Sequence, residues 1–216
     1  MKKEYVKDLN KKSDWGIVET NKFKISNKAK PRVWTIDNFY DNPDEVREFA
    51  LGQYYWDDEG YVGMRTRKQF EVEGIKERFE KIMNSKITKW NDYGMNGRFQ
   101  SNIAGSPTAH HCDSQQWAAM IYLTPNAPFS AGTRIIANKK NKIYHNEQGE
   151  VLDFFPNQKT FTDGTLFETV DMIGNVYNRL AIFDAGSLHC AGDYFGWDIA
   201  SGRLWQMFFF DADLNK

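Results

Sequence analysis

A mainly β domain with flanking helices is the fold class the sequence predicts, on three observations. Short runs rich in β-branched and aromatic residues recur at 98–103, 109–112, 117–123, 133–137, 179–183, 187–190 and 203–210, with Gly, Pro, Asn and Asp between them. Many short strands at such spacing indicate a sandwich or barrel. Helical signals fall only in the first part of the chain, before about residue 93. The chain has 216 residues, 41% hydrophobic and 15% aromatic, which suits one domain with a generous core and argues against disorder away from the ends.

Taken in order, residues 1–30 are polar and Lys-rich, with isolated aromatics at Tyr5, Trp15 and Phe23, and read as a leader or strap. The main domain is expected over 31–216, with a helical N-terminal part (31–92) and a β core (93–212). A β-rich run at 32–36 ends at Asp37-Asn38. Asn42-Pro43-Asp44-Glu45 is a helix start: a capping residue, proline at the first helical position, then acids at the positive end of the dipole. Val46, Phe49 and Ala50 share one face of that helix. A second helix is expected over 74–82, with Ile75, Phe79 and Ile82 inward. Between them runs a loop, 60–66, with Arg65 and nearby Arg67. Packing against a sheet is its preferred reading, and contact with a substrate at a cleft edge is the functional one. Residues 138–177 interrupt the strand rhythm and are expected to be an insertion, either an active-site lid or a decorated surface hairpin.

Composition excludes several classes. The net charge is -1 with no basic stripe, so nucleic acid is not an expected partner. Two cysteines, Cys112 and Cys190, cannot build a disulfide scaffold and fit a reducing compartment. No apolar run approaches the roughly 20 residues that cross a bilayer, and the Lys-rich N-terminus lacks the apolar centre of a signal peptide. A cytoplasmic protein is expected.

The chemistry-bearing stretch is Ala109-His110-His111-Cys112-Asp113. On extended chain, residues i and i+2 face one side, so His111 and Asp113 point together and Cys112 points away. His189, in a short glycine-flanked run, is a third donor of the right type. Two imidazoles and one carboxylate on one face of a metal leave open positions, the pattern of non-haem iron(II) oxygenases. His110 is a rival ligand, but its neighbour at i+2 is Cys112, so His111 is preferred. A zinc site from His111, Cys112, His189 and Cys190 is the competing idea; adjacent strand residues face opposite sides and cannot easily share an ion. Arg203 opens the very apolar run 204–210. A buried arginine needs an anion, either an internal Asp or Glu or the carboxylate of a ligand.

The order His111-x-Asp113, His189, Arg203 resembles the iron(II)/2-oxoglutarate-dependent dioxygenase superfamily, in its prolyl-hydroxylase-like branch. Further stretches agree: Ile121-Tyr122-Leu123-Thr124 at the strand that supplies a tyrosine, Ala131-Gly132-Thr133 at a turn, Asn178 to Asp184 before the distal histidine, and Phe209-Phe210-Asp211-Ala212 at the end. The resemblance covers about 97–212. It implies a double-stranded β-helix (a jelly-roll or cupin-like barrel). It also implies Fe(II) on His111, Asp113 and His189, with 2-oxoglutarate and O2 as cosubstrates. Arg203 and Tyr122 would hold the distal carboxylate. The family's upstream tyrosine is replaced near Gln100, Asn102 and Ile103, and the serine two residues past the arginine is Trp205. If the fold holds, Cys112 and Cys190 approach each other as reduced thiols on the face away from iron. The implied reaction hydroxylates a C–H bond of an unknown substrate, with succinate and CO2 as coproducts. Trp117, Trp205 and Phe208 are the expected aromatic wall. The alternatives are a cupin-like metal enzyme without 2-oxoglutarate and a non-catalytic binding protein on the same fold.

Overall fold

The computed structural model describes residues 32–57, 61–148 and 160–213. The expected leader at 1–30 lies outside the described residues, as do 149–159 of the expected insertion.

The described strands are β1 (Val33–Ile36), β2 (Tyr55–Asp57), β3 (Met64–Thr66), β4 (Lys86–Lys89), β5 (Arg98–Asn102), β6 (Trp117–Tyr122), β7 (Thr133–Asn138), β8 (Phe167–Ile173), β9 (Leu180–Asp184), β10 (His189–Ala191) and β11 (Arg203–Asp213). The helices are α1 (Pro43–Leu51) and α2 (Ile75–Met83). One eight-stranded sheet runs β1-β9-β6-β11-β5-β3-β2, with β4 added on β11, and a smaller sheet runs β10-β7-β8. Every pairing is antiparallel. This is the double-stranded β-helix arrangement: a large sheet faced by a small one.

Alternation along the central strands explains both layers. On β6, Trp117, Ala119 and Ile121 join the cluster beneath the helices, while Ala118 and Tyr122 join the cluster between the sheets. On β9, Leu180 and Ile182 take the first side and Ala181 and Phe183 the second. β11 is paired on both edges by β5 and β6, and its side chains are buried on both faces, so its sequence reads as a nearly unbroken apolar run. Leu204, Phe208 and Phe210 lie under the helices; Trp205 and Met207 lie between the sheets.

The helices roof the large sheet. Pro43 and the acids Asp44 and Glu45 start α1 as expected, although the Asn42 side chain makes no cap bond. Phe49 corrects the expected face: it is 48% exposed, edge-on to Phe70 and Phe99, and Ala50 makes the inward contact. On α2, Ile75 and Phe79 are buried and Ile82 packs partly buried against the same cluster, as expected, and Met83 is buried beside them. Phe79 meets the rings of Phe39, Trp90, Phe208 and Phe210. Phe79→Ala is therefore expected to lower unfolding stability by about 3–5 kcal/mol in a denaturant titration, because the aromatic cage around it cannot collapse into the void.

Two further expectations are corrected. Residues 109–112 do not form a strand; only His111 makes a single bridge, to His189. The stretch 138–177 is not a free insertion. It contains β8, which pairs along all of β7 from Thr133 to Asn138. The five exposed central residues of β8, FETVDMI, hid the strand among polar residues.

Candidate metal centre and its cavity

His111 is placed by its backbone. Its N–H donates to the His189 carbonyl at 2.9 Å, and the His189 N–H returns the bond at 2.8 Å. Two residues on, the Asp113 N–H donates to the Ala185 carbonyl at 2.9 Å. The chain is thus extended from 111 to 113, and both side chains emerge beside His189. The donor atoms of His111, Asp113 and His189 all lie within 4.8 Å of one another.

The geometry suits a cation better than it suits these three groups alone. His111 Nε2 is 3.6 Å from Asp113 Oδ1, and His189 Nε2 is 3.5 Å from Asp113 Oδ2. Both are too long for hydrogen bonds. Asp113 Oδ2 is buried with no hydrogen-bond partner, an arrangement that costs free energy unless a charge or donor answers it. The rings are set for ligation through Nε2. His189 Nδ1 donates to the Ser187 carbonyl at 2.8 Å, and His111 Nδ1 lies 3.3 Å from the Ala109 carbonyl. A carbonyl accepts only from N–H, so each Nε2 carries the lone pair. Burial, reinforced by His111 nearby, pushes His189 down to about 4, which keeps it in the neutral ligating form.

His110 is excluded by its own contacts. Its ring stacks on Phe167 at 4.7 Å, and Nδ1 donates to the Phe161 carbonyl at 2.7 Å. It ties the segment at 160–167 to the core. Cys112 and Cys190 are both free thiols in one cluster with Ile136, Phe167 and Leu188. Burial pushes their thiols up, to about 12 and about 11, so neither is a ready thiolate. Among the described residues the His111, Asp113 and His189 set is the candidate metal group, without either cysteine. Cys190 nevertheless borders the cavity, which corrects the expectation that it would turn fully away.

The three donors open into a cavity of about 540 Å³. Its inner wall is the alternate face of β11: Arg203, Trp205, Met207 and Phe209. The expected aromatic wall is thereby corrected. Trp205 belongs to it, whereas Trp117 and Phe208 face the helices and Phe209 takes their place. Arg203 is completely buried. Its Nε donates to the Ala131 carbonyl at 2.6 Å and Nη2 to the Gly132 carbonyl at 3.0 Å, while Nη1 has no partner. A side chain at Gly132 would collide with the Ile173 carbonyl, so glycine lets this turn, whose Gly132 carbonyl accepts from Arg203, pack against β8. The Trp205 ring lies 4.2 Å from the Arg203 guanidinium carbon, a cation–π contact. Among the described residues no carboxylate pairs with Arg203, which sets aside the internal ion pair. Tyr122 sits behind Arg203, its ring 5.4 Å from the guanidinium carbon, and its hydroxyl bonds Thr133 Oγ1 at 2.8 Å.

Sequence reasoning missed part of the wall. Tyr61, Val62 and Arg65 of the 60–66 loop line the cavity, with the Arg65 guanidinium 4.2 Å from the Tyr61 ring centre. The functional reading of that loop therefore gains over simple packing. Gln100 and Tyr194 also line it. The glycines around 60–63 were the only signal for the loop; nothing local marks Tyr194.

No protein-family model matches the chain, and no curated protein matches it in sequence. Solved structures do match in fold. HygX from Streptomyces hygroscopicus, solved with nickel and 2-oxoglutarate bound, is 10% identical over 82% of each chain with a TM-score of 0.55. A prolyl hydroxylase from Trichoplax adhaerens, in complex with a hypoxia inducible factor peptide, is 13% identical over 83% of each chain, TM-score 0.47. A Pseudomonas putida prolyl-4-hydroxylase is 12% identical over 82% of this chain and 91% of its own, TM-score 0.44. At such identities the HygX likeness establishes the double-stranded β-helix fold. No described helix is long and apolar enough to cross a membrane.

Proposed function

We propose that the protein is a non-haem iron(II) oxygenase that uses 2-oxoglutarate and hydroxylates a C–H bond of a second, organic substrate. One observation carries the reading: a single cavity is lined by a His-Asp-His donor set with an orphaned carboxylate oxygen and by a buried guanidinium with an unpartnered Nη1. A 2-oxo dicarboxylate answers both demands. One carboxylate with the keto oxygen suits the metal, and the other suits the arginine fork. HygX, with the same fold, has been solved with nickel and 2-oxoglutarate bound.

In this reading His111, Asp113 and His189 hold Fe(II), which when bound supplies the oxygen chemistry. The overall reaction balances: 2-oxoglutarate, O2 and a C–H bond give succinate, CO2 and an alcohol, one oxygen atom entering each organic product. The protein's part is placement. The Ser187 and Ala109 carbonyls fix the two imidazole planes, and Asp113 offsets one unit of the cation's charge. The Ala131 and Gly132 carbonyls aim Arg203, leaving Nη1 for the distal carboxylate. Met120, Trp205, Met207 and Phe209 form a dry wall. Tyr122 supports Arg203 from behind, and Tyr194 borders the same cavity. The expected setting is the cytoplasm, supported by the two unpaired thiols.

The test is anaerobic titration of metal-free protein with Fe(II) and then 2-oxoglutarate. A weak visible charge-transfer band is expected only when both are present, and His189→Ala is expected to lose it. Iron binding with no response to 2-oxoglutarate would assign the protein to a cupin-like enzyme without that cosubstrate. No iron binding at all would leave a binding protein on this fold.

A further inference from the structure

Beside the metal cavity lies a second, larger groove of about 820 Å³. The two share Tyr61, Val62 and Pro107 as a common wall, so the groove adjoins the cavity. Its character differs. The metal cavity carries Arg65 and Arg203 beside Asp113; the only charged residues lining the groove, among those described, are Asp57 and Asp198. Trp197 is 81% exposed and borders the groove, and Tyr61, 60% exposed, borders it with the Arg65 guanidinium on its ring.

One polar group at the groove is also unanswered. Asn102 is more than nine-tenths buried, and its Nδ2 has no hydrogen-bond partner. The Asn102 amide oxygen is already used, accepting from Gln100 Nε2 at 3.2 Å. What is left is a donor, and it calls for an oxygen acceptor. Carboxylates and aromatic faces call for a cation.

Resting on the oxygenase reading, we propose that the groove binds the primary substrate and selects an ammonium-bearing aliphatic chain that carries an oxygen acceptor. The ammonium sits against Asp57, Asp198 and the Trp197 ring, and the oxygen is met by Asn102 Nδ2. The chain passes Tyr61 and Pro107, bringing its C–H bond to the metal cavity. An anionic chain would be refused by the two carboxylates.

Three probes of equal length separate the charges: 6-aminohexan-1-ol, hexane-1,6-diol and 6-hydroxyhexanoate. Each is titrated into metal-free protein, with binding followed by saturation-transfer NMR. The aminoalcohol is expected to bind about five- to tenfold more tightly than the diol, and the acid more weakly than both. A double variant Asp57→Asn with Asp198→Asn is expected to bring the aminoalcohol within about twofold of the diol, and Trp197→Ala to weaken both. All three positions are exposed, and Asp198→Asn keeps an amide oxygen to accept from Ser201 N and Oγ. Equal affinity for the three probes, or aminoalcohol affinity unchanged in the double variant, overturns the proposal. The measurement needs no metal, and Asp113→Ala is expected to bind the aminoalcohol like the parent. Failure here leaves the iron titration standing, and failure there leaves this result standing.

Discussion

Asp113→Ala is expected to abolish succinate formation while leaving the metal-free protein at least as stable as the parent. The two effects have opposite signs for one reason. In the metal-free fold the Asp113 carboxylate faces two imidazole nitrogens at 3.5 and 3.6 Å, and its buried Oδ2 has no donor. An unanswered buried acceptor costs about 1–3 kcal/mol, so removing it costs nothing and can return about 1 kcal/mol. With a divalent ion present the same carboxylate is the anionic ligand of the set. Its loss leaves two neutral imidazoles, too weak a set to hold iron against the solvent. Iron content after gel filtration should fall to background and turnover with it. Thermal unfolding of the metal-free forms should show the variant equal or higher, whereas the parent alone should gain stability on adding Fe(II). A variant that retained iron would remove Asp113 from the metal site. A variant that unfolded without metal would make Asp113 a structural residue.

The parts of this site that were legible in the sequence are those whose period survives locally. His111 and Asp113 lie two apart on extended backbone, and that spacing alone put them on one side, even though the stretch is held by a bridge and not by a ladder. Arg203 stood out because a charge opened an apolar run. β11 itself was readable for the same reason that β8 was not: β11 is buried on both faces, while β8 shows five of its seven side chains to solvent. The error at Trp117 and Phe208 was one of parity. Both are apolar strand residues, and no local property tells which of two packed layers a face will meet. The cavity wall from Tyr61, Arg65 and Gln100 depends on β3 pairing with β5 across a long sequence separation, so it could be seen only in the fold. The two grooves beside one another depend on the same pairing.

Arg203 offers the second large effect, and its variants separate charge from geometry. Arg203→Lys keeps a cation at the cavity wall but loses the planar fork. The three contacts it must replace are Nε to Ala131 O, Nη2 to Gly132 O, and Nη1 toward the ligand. A lysine can point one ammonium at a ligand carboxylate or at the carbonyls, and it stacks less well on Trp205. The KM for 2-oxoglutarate is expected to rise about 10- to 100-fold, with a smaller fall in kcat. Arg203→Met fills the volume without charge. It strands the Ala131 and Gly132 carbonyls and leaves the distal carboxylate unmet in a buried site, a loss of about 2–5 kcal/mol. That corresponds to a KM increase of about 30-fold to more than 10³-fold. The iron affinity without cosubstrate should be unchanged in both variants, because none of the three metal donors touches Arg203. This is the readout that a merely structural arginine would not give: a damaged fold would loosen His111, Asp113 and His189 along with everything else. If iron binding and the KM worsened together, Arg203 would be holding β11 in place and not the cosubstrate. If the KM were unmoved in Arg203→Met, the anion that answers this guanidinium would not be 2-oxoglutarate.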